Sequence, residues 1–181
     1  DSLENLWATW MRAGQIWVAH TSGNDAVWGA PVALPTAGAG SVAADDMSSL
    51  IAFSGQIGVM YSNQNDDTMH FAIHADGAGD LAWTHENAYG GPGSNLADDH
   101  MNLKTFGGKV YAATKTSRTG SSPLVNLLVR ETNGSWSAHV FGTAVSTEDH
   151  TRPIVLIDAT SGVVHMFATG SSPGSTSYDL I

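Results

Sequence analysis

The sequence contains no cysteine, which excludes disulfides and thiolate metal sites and leaves the redox compartment open. Positive charge is scarce. The only lysines are Lys104, Lys109 and Lys115, the only arginines Arg12, Arg118, Arg130 and Arg152, and the formal net charge is -10. Such a chain repels a phosphate backbone, so nucleic acid is excluded as a partner, while cations and neutral glycans suit its surface. No apolar run approaches the roughly 18 residues of a membrane-spanning helix. No helix-period stretch extends beyond a turn or two. Gly-rich phosphate loops, a nucleophile elbow and a His-Glu-x-x-His motif are also missing. The first residue is Asp1 rather than Met, which reads as a processed, trimmed or incompletely recorded N-terminus.

What remains is a chain of short apolar runs punctuated by Gly, Asn, Asp and Ser, the pattern of strands and turns. In the middle of the chain, strands are expected at 101–106, 109–115, 124–131 and 135–142. The preceding unit matches step for step, at 49–53, 56–62, 68–75 and 81–88. A following unit supplies 154–158, 163–169 and an incomplete strand near 177–181. The N-terminal unit supplies 6–11, 15–20 and 27–34. Trp28, Trp83 and Trp136 recur at a spacing of roughly 50 residues, the period of four-stranded propeller blades. The fold class is therefore expected to be all-β, a β-propeller or propeller segment of four-stranded antiparallel blades. Its blades fall at 1–42 (partial, with the first strand missing), 43–96, 97–146 and 147–181 (partial), about three and a half in all. Such a piece would be completed by the remaining blades of a larger chain or by another copy of itself.

Three related motifs each open a unit: Asp45-Asp46-Met47-Ser48-Ser49-Leu50, Asp98-Asp99-His100-Met101-Asn102-Leu103 and Glu148-Asp149-His150-Thr151-Arg152-Pro153. Asp46, Asp99 and Asp149 align, as do Met47, His100 and His150. In a propeller these loops share one rim, where the three aspartates could ligate a divalent cation such as calcium. His100 and His150 could act as a general acid–base pair with Arg152 orienting an acidic group. Asn102 and Lys104 complete the candidate ligand-binding set, and Lys104, His100, His150 and Arg152 form the one cluster able to hold a carboxylate or sulfate. A plainer role stands beside these: an Asp at a loop-to-strand junction accepts backbone N–H bonds and fixes the turn. His70 and His74 are expected on one face of a strand, about 13 Å apart and too distant to share a ligand. His85, His139 and His165 read as single strand residues.

The Asp-Asp-His-Met-Asn-Leu and Glu-Asp-His-Thr-Arg-Pro openings resemble those of bacterial propellers with neuraminidase-type (BNR) repeats, over residues 45–169. The resemblance implies a propeller fold, a glycan-related role and secretion or a cell-surface location. That group includes sialidase-like enzymes, polysaccharide lyases and non-catalytic glycan-binding modules. The sialidase Asp-box is not matched: its Gly position holds Asp25, Asp80 and Asn133. The four arginines do not assemble a sialidase triad. The functional expectation is thus an extracellular module binding a glycan or cell-surface polysaccharide through the rim motifs, with no cofactor required. A lyase or glycoside hydrolase, or a structural adhesin scaffold, is the alternative.

Overall fold

A computed structural model describes residues 1–119, 122–143, 150–170 and 179–180. Among these residues there is no helix, and the strands form four antiparallel sheets. The first sheet holds β1 (Trp7–Arg12), β2 (Gln15–His20) and β3 (Val32–Ala33) in that order. The second holds β4 (Ser48–Phe53), β5 (Gln56–Asn63), β6 (Thr68–Ala75) and β7 (Trp83–Gly90). The third holds β8 (Met101–Phe106), β9 (Lys109–Lys115), β10 (Pro123–Arg130) and β11 (Trp136–Thr143). The fourth holds β12 (Thr151–Ile157), β13 (Val164–Gly170) and β14 (Asp179–Leu180). Each sheet is a meander, with every strand paired to its neighbour in sequence.

One turn recurs. Ala13-Gly14, Ser54-Gly55 and Gly107-Gly108 all join the first two strands of a sheet with both residues at positive φ (52° and 74°, 48° and 72°, 60° and 76°). Two consecutive positive φ values define the two-residue hairpin whose twist suits the flanking strands. Hence β1–β2, β4–β5 and β8–β9 are equivalent hairpins. The leading strands also adjoin in chain order, β1 beside β4, β4 beside β8, and β8 beside β12. This corrects the sequence expectation for the N-terminal unit. Its leading strand is present as β1, and what the sheet lacks is a fourth strand. Trp28 does not hold the place of Trp83 and Trp136, since it sits in a single β-bridge to Thr21 just ahead of the third strand.

Both faces of the second sheet are covered, as expected for middle strands. Along β5 successive side chains point to opposite faces. Ile57, Val59 and Tyr61 join Ala72 in a core with Ile16, Val18 and Leu34 of the first sheet. Met60, Met69, Phe71 and Ile73 join a core with Leu103, Val110, Ala112 and Leu128 of the third. Side chains also tie the leading strands together: Thr9 Oγ1 lies 2.9 Å from Ser48 Oγ, and Val155 N donates to Asn102 Oδ1 at 3.1 Å. On β12, Val155 is buried while Ile154 and Leu156 on its other face are exposed.

Trp83 and Trp136 act as packing wedges, whereas Trp28 is 47% exposed. Trp136 meets Phe71 edge-on at 5.2 Å and donates its Nε1–H to Glu86 Oε2 on β7 at 2.8 Å. Arg130 makes a two-point bond to the same carboxylate, at 2.8 and 2.6 Å, and lies over Phe53 and Phe71. Glu86 thus fastens the second sheet to the third. Replacing Glu86 with Ala leaves Arg130 and Trp136 without their shared acceptor in a mostly buried setting. Chemical denaturation should show a loss of about 2–3 kcal/mol.

Candidate functional site

The strand register confirms the alignment of the first two motifs. Ser48 pairs with Tyr61 as Met101 pairs with Thr114, and Met47 and His100 each offer a carbonyl to the partner strand (Ser62 N at 3.1 Å, Lys115 N at 3.0 Å). Asp46 and Asp99 therefore hold equivalent places, yet they do different things.

Asp46 is 2% exposed. Its Oδ2 accepts from Ala43 N at 2.6 Å and Gln64 N at 3.1 Å, and its Oδ1 from Gln64 Nε2 at 3.2 Å. This carboxylate clamps its own loop to the end of β5. Asp46 fixes a turn.

In the second motif the clamp passes to Asp98, which is buried and takes Lys115 Nζ at 2.8 Å and Asp99 N at 2.6 Å. That frees Asp99 to bond His100 Nδ1, with side chains 30% and 26% exposed respectively. One ligand atom from each of Asp98, Asp99 and His100 can be chosen so that all lie within 4.8 Å of one another. Burial and a hydrogen bond with Asp99 push the Asp98 carboxyl above the ordinary carboxylate range, outweighing Lys115. For Asp99, burial acts upward but is outweighed by hydrogen bonds with Asp98 and His100, so its carboxyl falls below that range. The pair is therefore asymmetric, with the Asp98 carboxyl held above the ordinary range and the Asp99 carboxyl below it. Two oxygens and an imidazole can accept a hard cation, although Lys115 already supplies positive charge to Asp98.

The other expected site residues are dispersed. Asn102 is committed to the β8–β12 link described above. Lys104 lies on β8 two residues further along, exposed, opposite Tyr111. Thr151 pairs with Thr169 at the start of β12, which places His150 just ahead of the strand, as His100 is ahead of β8. The His150 ring packs on Gly142, where an added Cβ would fall 2.4 Å from Nδ1. Arg152 is exposed in a bulge between Thr151 and Ile154, with φ of 50°. A bulge there suits Pro153, which has no N–H for the ladder. Glu148 and Asp149 fall outside the described residues.

A further polar cluster escaped the sequence reading. His70 and His74 do share a face of β6, as expected. But His70 Nδ1 lies 2.9 Å from His85 Nε2 on β7, and His70 Nε2 lies 3.1 Å from Asp66 Oδ2. His70 is 6% exposed and stacks on Tyr61 at 5.0 Å, whereas His85 is exposed. Partial burial and the neighbouring His70 lower the His85 pKa, against the opposite pull of Glu86 and Asp66. Burial pushes the Tyr61 hydroxyl up to about 12, and it donates to Ala37 O. The expected strands at 68–75 and 81–88 imply a five-residue turn, whereas the observed connection runs over residues 76–82, and only the observed register sets His70 diagonally across from His85 on β7.

Neither the known protein-family models nor the curated proteins include a match to this sequence.

The two equivalent aspartates make opposite predictions. Asp46→Ala strands two part-buried N–H groups, those of Ala43 and Gln64, and should lower stability by about 1–2 kcal/mol in urea unfolding. Asp99→Ala, at a partly exposed pair, should lower it by less than about 1 kcal/mol.

Proposed function

We propose that the four sheets are blades of a β-propeller segment and that the chain is an extracellular glycan-binding module. Its ligand contacts the rim formed by Asp98, Asp99 and His100. The observation that carries this reading is the divergence between equivalent motifs. Asp46 is buried and used up in its turn, whereas Asp99 and His100 stand partly exposed as a hydrogen-bonded pair. A residue required only for the fold would do the same work in both copies. The recurring hairpins and the adjoining leading strands support the blade arrangement, since each motif loop then opens at the inner end of a blade.

Chemically, an anionic carboxylate beside an imidazole suits hydroxyl-rich ligands: the carboxylate accepts from sugar hydroxyls, and the imidazole can donate or accept. A formal net charge of -10 disfavours polyanionic polysaccharides and leaves neutral or cationic glycans. Calcium can join the site by bridging the Asp98 and Asp99 oxygens to the ligand.

A glycan array followed by calorimetry on the best binder tests the proposal. Asp99→Asn and His100→Ala should each weaken binding by about 10-fold, the effect of roughly 1.4 kcal/mol, without altering the thermal midpoint by more than a few degrees. EDTA should weaken binding further if calcium takes part. Binding left intact by both substitutions, or no binding to any neutral glycan, removes the reading.

A further inference from the structure

We propose that His70 and His85 form a two-imidazole site for a borderline divalent ion such as Zn2+, with Asp66 as its orienting residue. This site lies on the second sheet and is separate from the Asp98–Asp99–His100 rim. Three observations carry it. The first is the direction of the lone pairs. Asp66 is a carboxylate held by Thr68 N at 3.1 Å and Asn63 Nδ2 at 3.1 Å, and it faces His70 Nε2. A carboxylate there requires the proton on Nε2, so Nδ1 carries a lone pair directed at His85. Carboxylate–imidazole–metal chains use this arrangement to fix the ligand tautomer and raise its basicity.

The second is distance. The two nitrogens stand 2.9 Å apart, each on a ring. Two nitrogens at about 2.0–2.1 Å from a tetrahedral ion are about 3.3–3.4 Å apart. With the His70 ring held, the separation opens by a few tenths of an ångström while the His85 nitrogen swings aside by about 2 Å to leave room for the ion, and the exposed His85 is the ring free to move. His85 changes tautomer on binding: its proton passes from Nε2 to Nδ1, both rings remain neutral, and no net proton is released. Imidazole selects Zn2+, Cu2+ or Ni2+ over calcium and magnesium, and solvent supplies the remaining ligands on the exposed side.

The third is the comparison the repeat itself provides. The cross-strand row Leu50, Val59, Ala72, His85 of the second sheet matches Leu103, Ala112, Leu128, Ala138 of the third. Two residues along, Tyr61 and His70 match Thr114 and Asn126. Both sheets carry a register shift at the same point, between Met69 and His70 and between Val125 and Asn126. The same strand register therefore forms with Asn and Ala in place of the two histidines. The His70 ring is also held in position, between the Tyr61 ring and Gly38, where an added Cβ would come within 2.4 Å of Nε2. The inner ligand is thus held in place, and the exposed outer one supplies the adjustment the ion requires.

Calorimetric titration of the whole chain with Zn2+, in a non-coordinating buffer near pH 7.5, tests this. One ion should bind per chain in the micromolar range. His85→Ala, a change at an exposed residue that circular dichroism should show to be folded, should weaken binding by at least about 10-fold, and Asp66→Asn by about 10-fold as well. Asp99→Asn should leave Zn2+ binding unchanged. Nitrogen-15 NMR of the histidines should show the His85 proton moving from Nε2 to Nδ1. Undetectable binding at millimolar Zn2+, or binding that His85→Ala leaves intact or Asp99→Asn abolishes, overturns the proposal.

Discussion

The constraint on which the structure depends is that the second sheet must bury both of its faces. Alternation along β5 and β6 sends Val59, Tyr61 and Ala72 one way and Met60, Met69 and Phe71 the other. Neither set can face water without exposing a continuous apolar surface, so a sheet must lie on each side. This requirement aligns the leading strands β1, β4 and β8 side by side. It also sets the place of the functional candidates. With the interiors of β5 and β6 spent on packing, polar chemistry is confined to the loops entering the leading strands and to the ends and outer strands of each sheet.

The cores are closed by polar fasteners that differ between interfaces. Between the second and third sheets a single carboxylate, Glu86, holds both Arg130 and Trp136. At the equivalent position between the first and second sheets, Trp83 donates instead to the carbonyl of Asp80 in its own turn, at 2.8 Å, and meets Trp7 edge-on. The difference follows from strand count. The second sheet has a fourth strand, β7, to carry Glu86 across, and the first sheet has none. Its third strand ends between Pro31 and Pro35, residues that give no N–H to a further ladder.

Much of the architecture could be read from the residues because it rests on local signals. The Ala13-Gly14, Ser54-Gly55 and Gly107-Gly108 turns demand positive φ, and alternating or continuous apolar runs mark the strands between them. The expected strand at 124–131 is observed at Pro123–Arg130, a shift of one residue. The N-terminal unit was misread because two signals conflicted, the tryptophan spacing and the hairpin turn. The turn governs, since backbone sterics fix it whereas an aromatic wedge is tolerated at more than one strand. At the site, the alignment of Asp46 with Asp99 was legible from the motif. Their different fates were not, because these depend on Gln64 and Lys115, the residues just beyond and at the ends of the partner strands. The His70–His85 pair lay deeper still. It requires the register across β6 and β7, and a seven-residue connection does not fix a register as a two-residue turn does.

Both polar clusters arise where the second and third sheets differ in side chains while their strand register stays alike. Asp99 is released because Lys115 and Asp98 do the work that Gln64 and Asp46 do in the preceding sheet. His70 and His85 occupy positions that Asn126 and Ala138 fill without loss of the ladder. Two sheets of like register serve as references for each other: positions that keep one role in both report packing, and positions that change role under a constant register are free of it. Side chains so freed, still polar and still ordered by neighbours, are where selection for binding can act without unfolding the sheets. By that criterion the Asp99–His100 pair and the His70–His85 pair are places where polar side chains exceed what the fold requires.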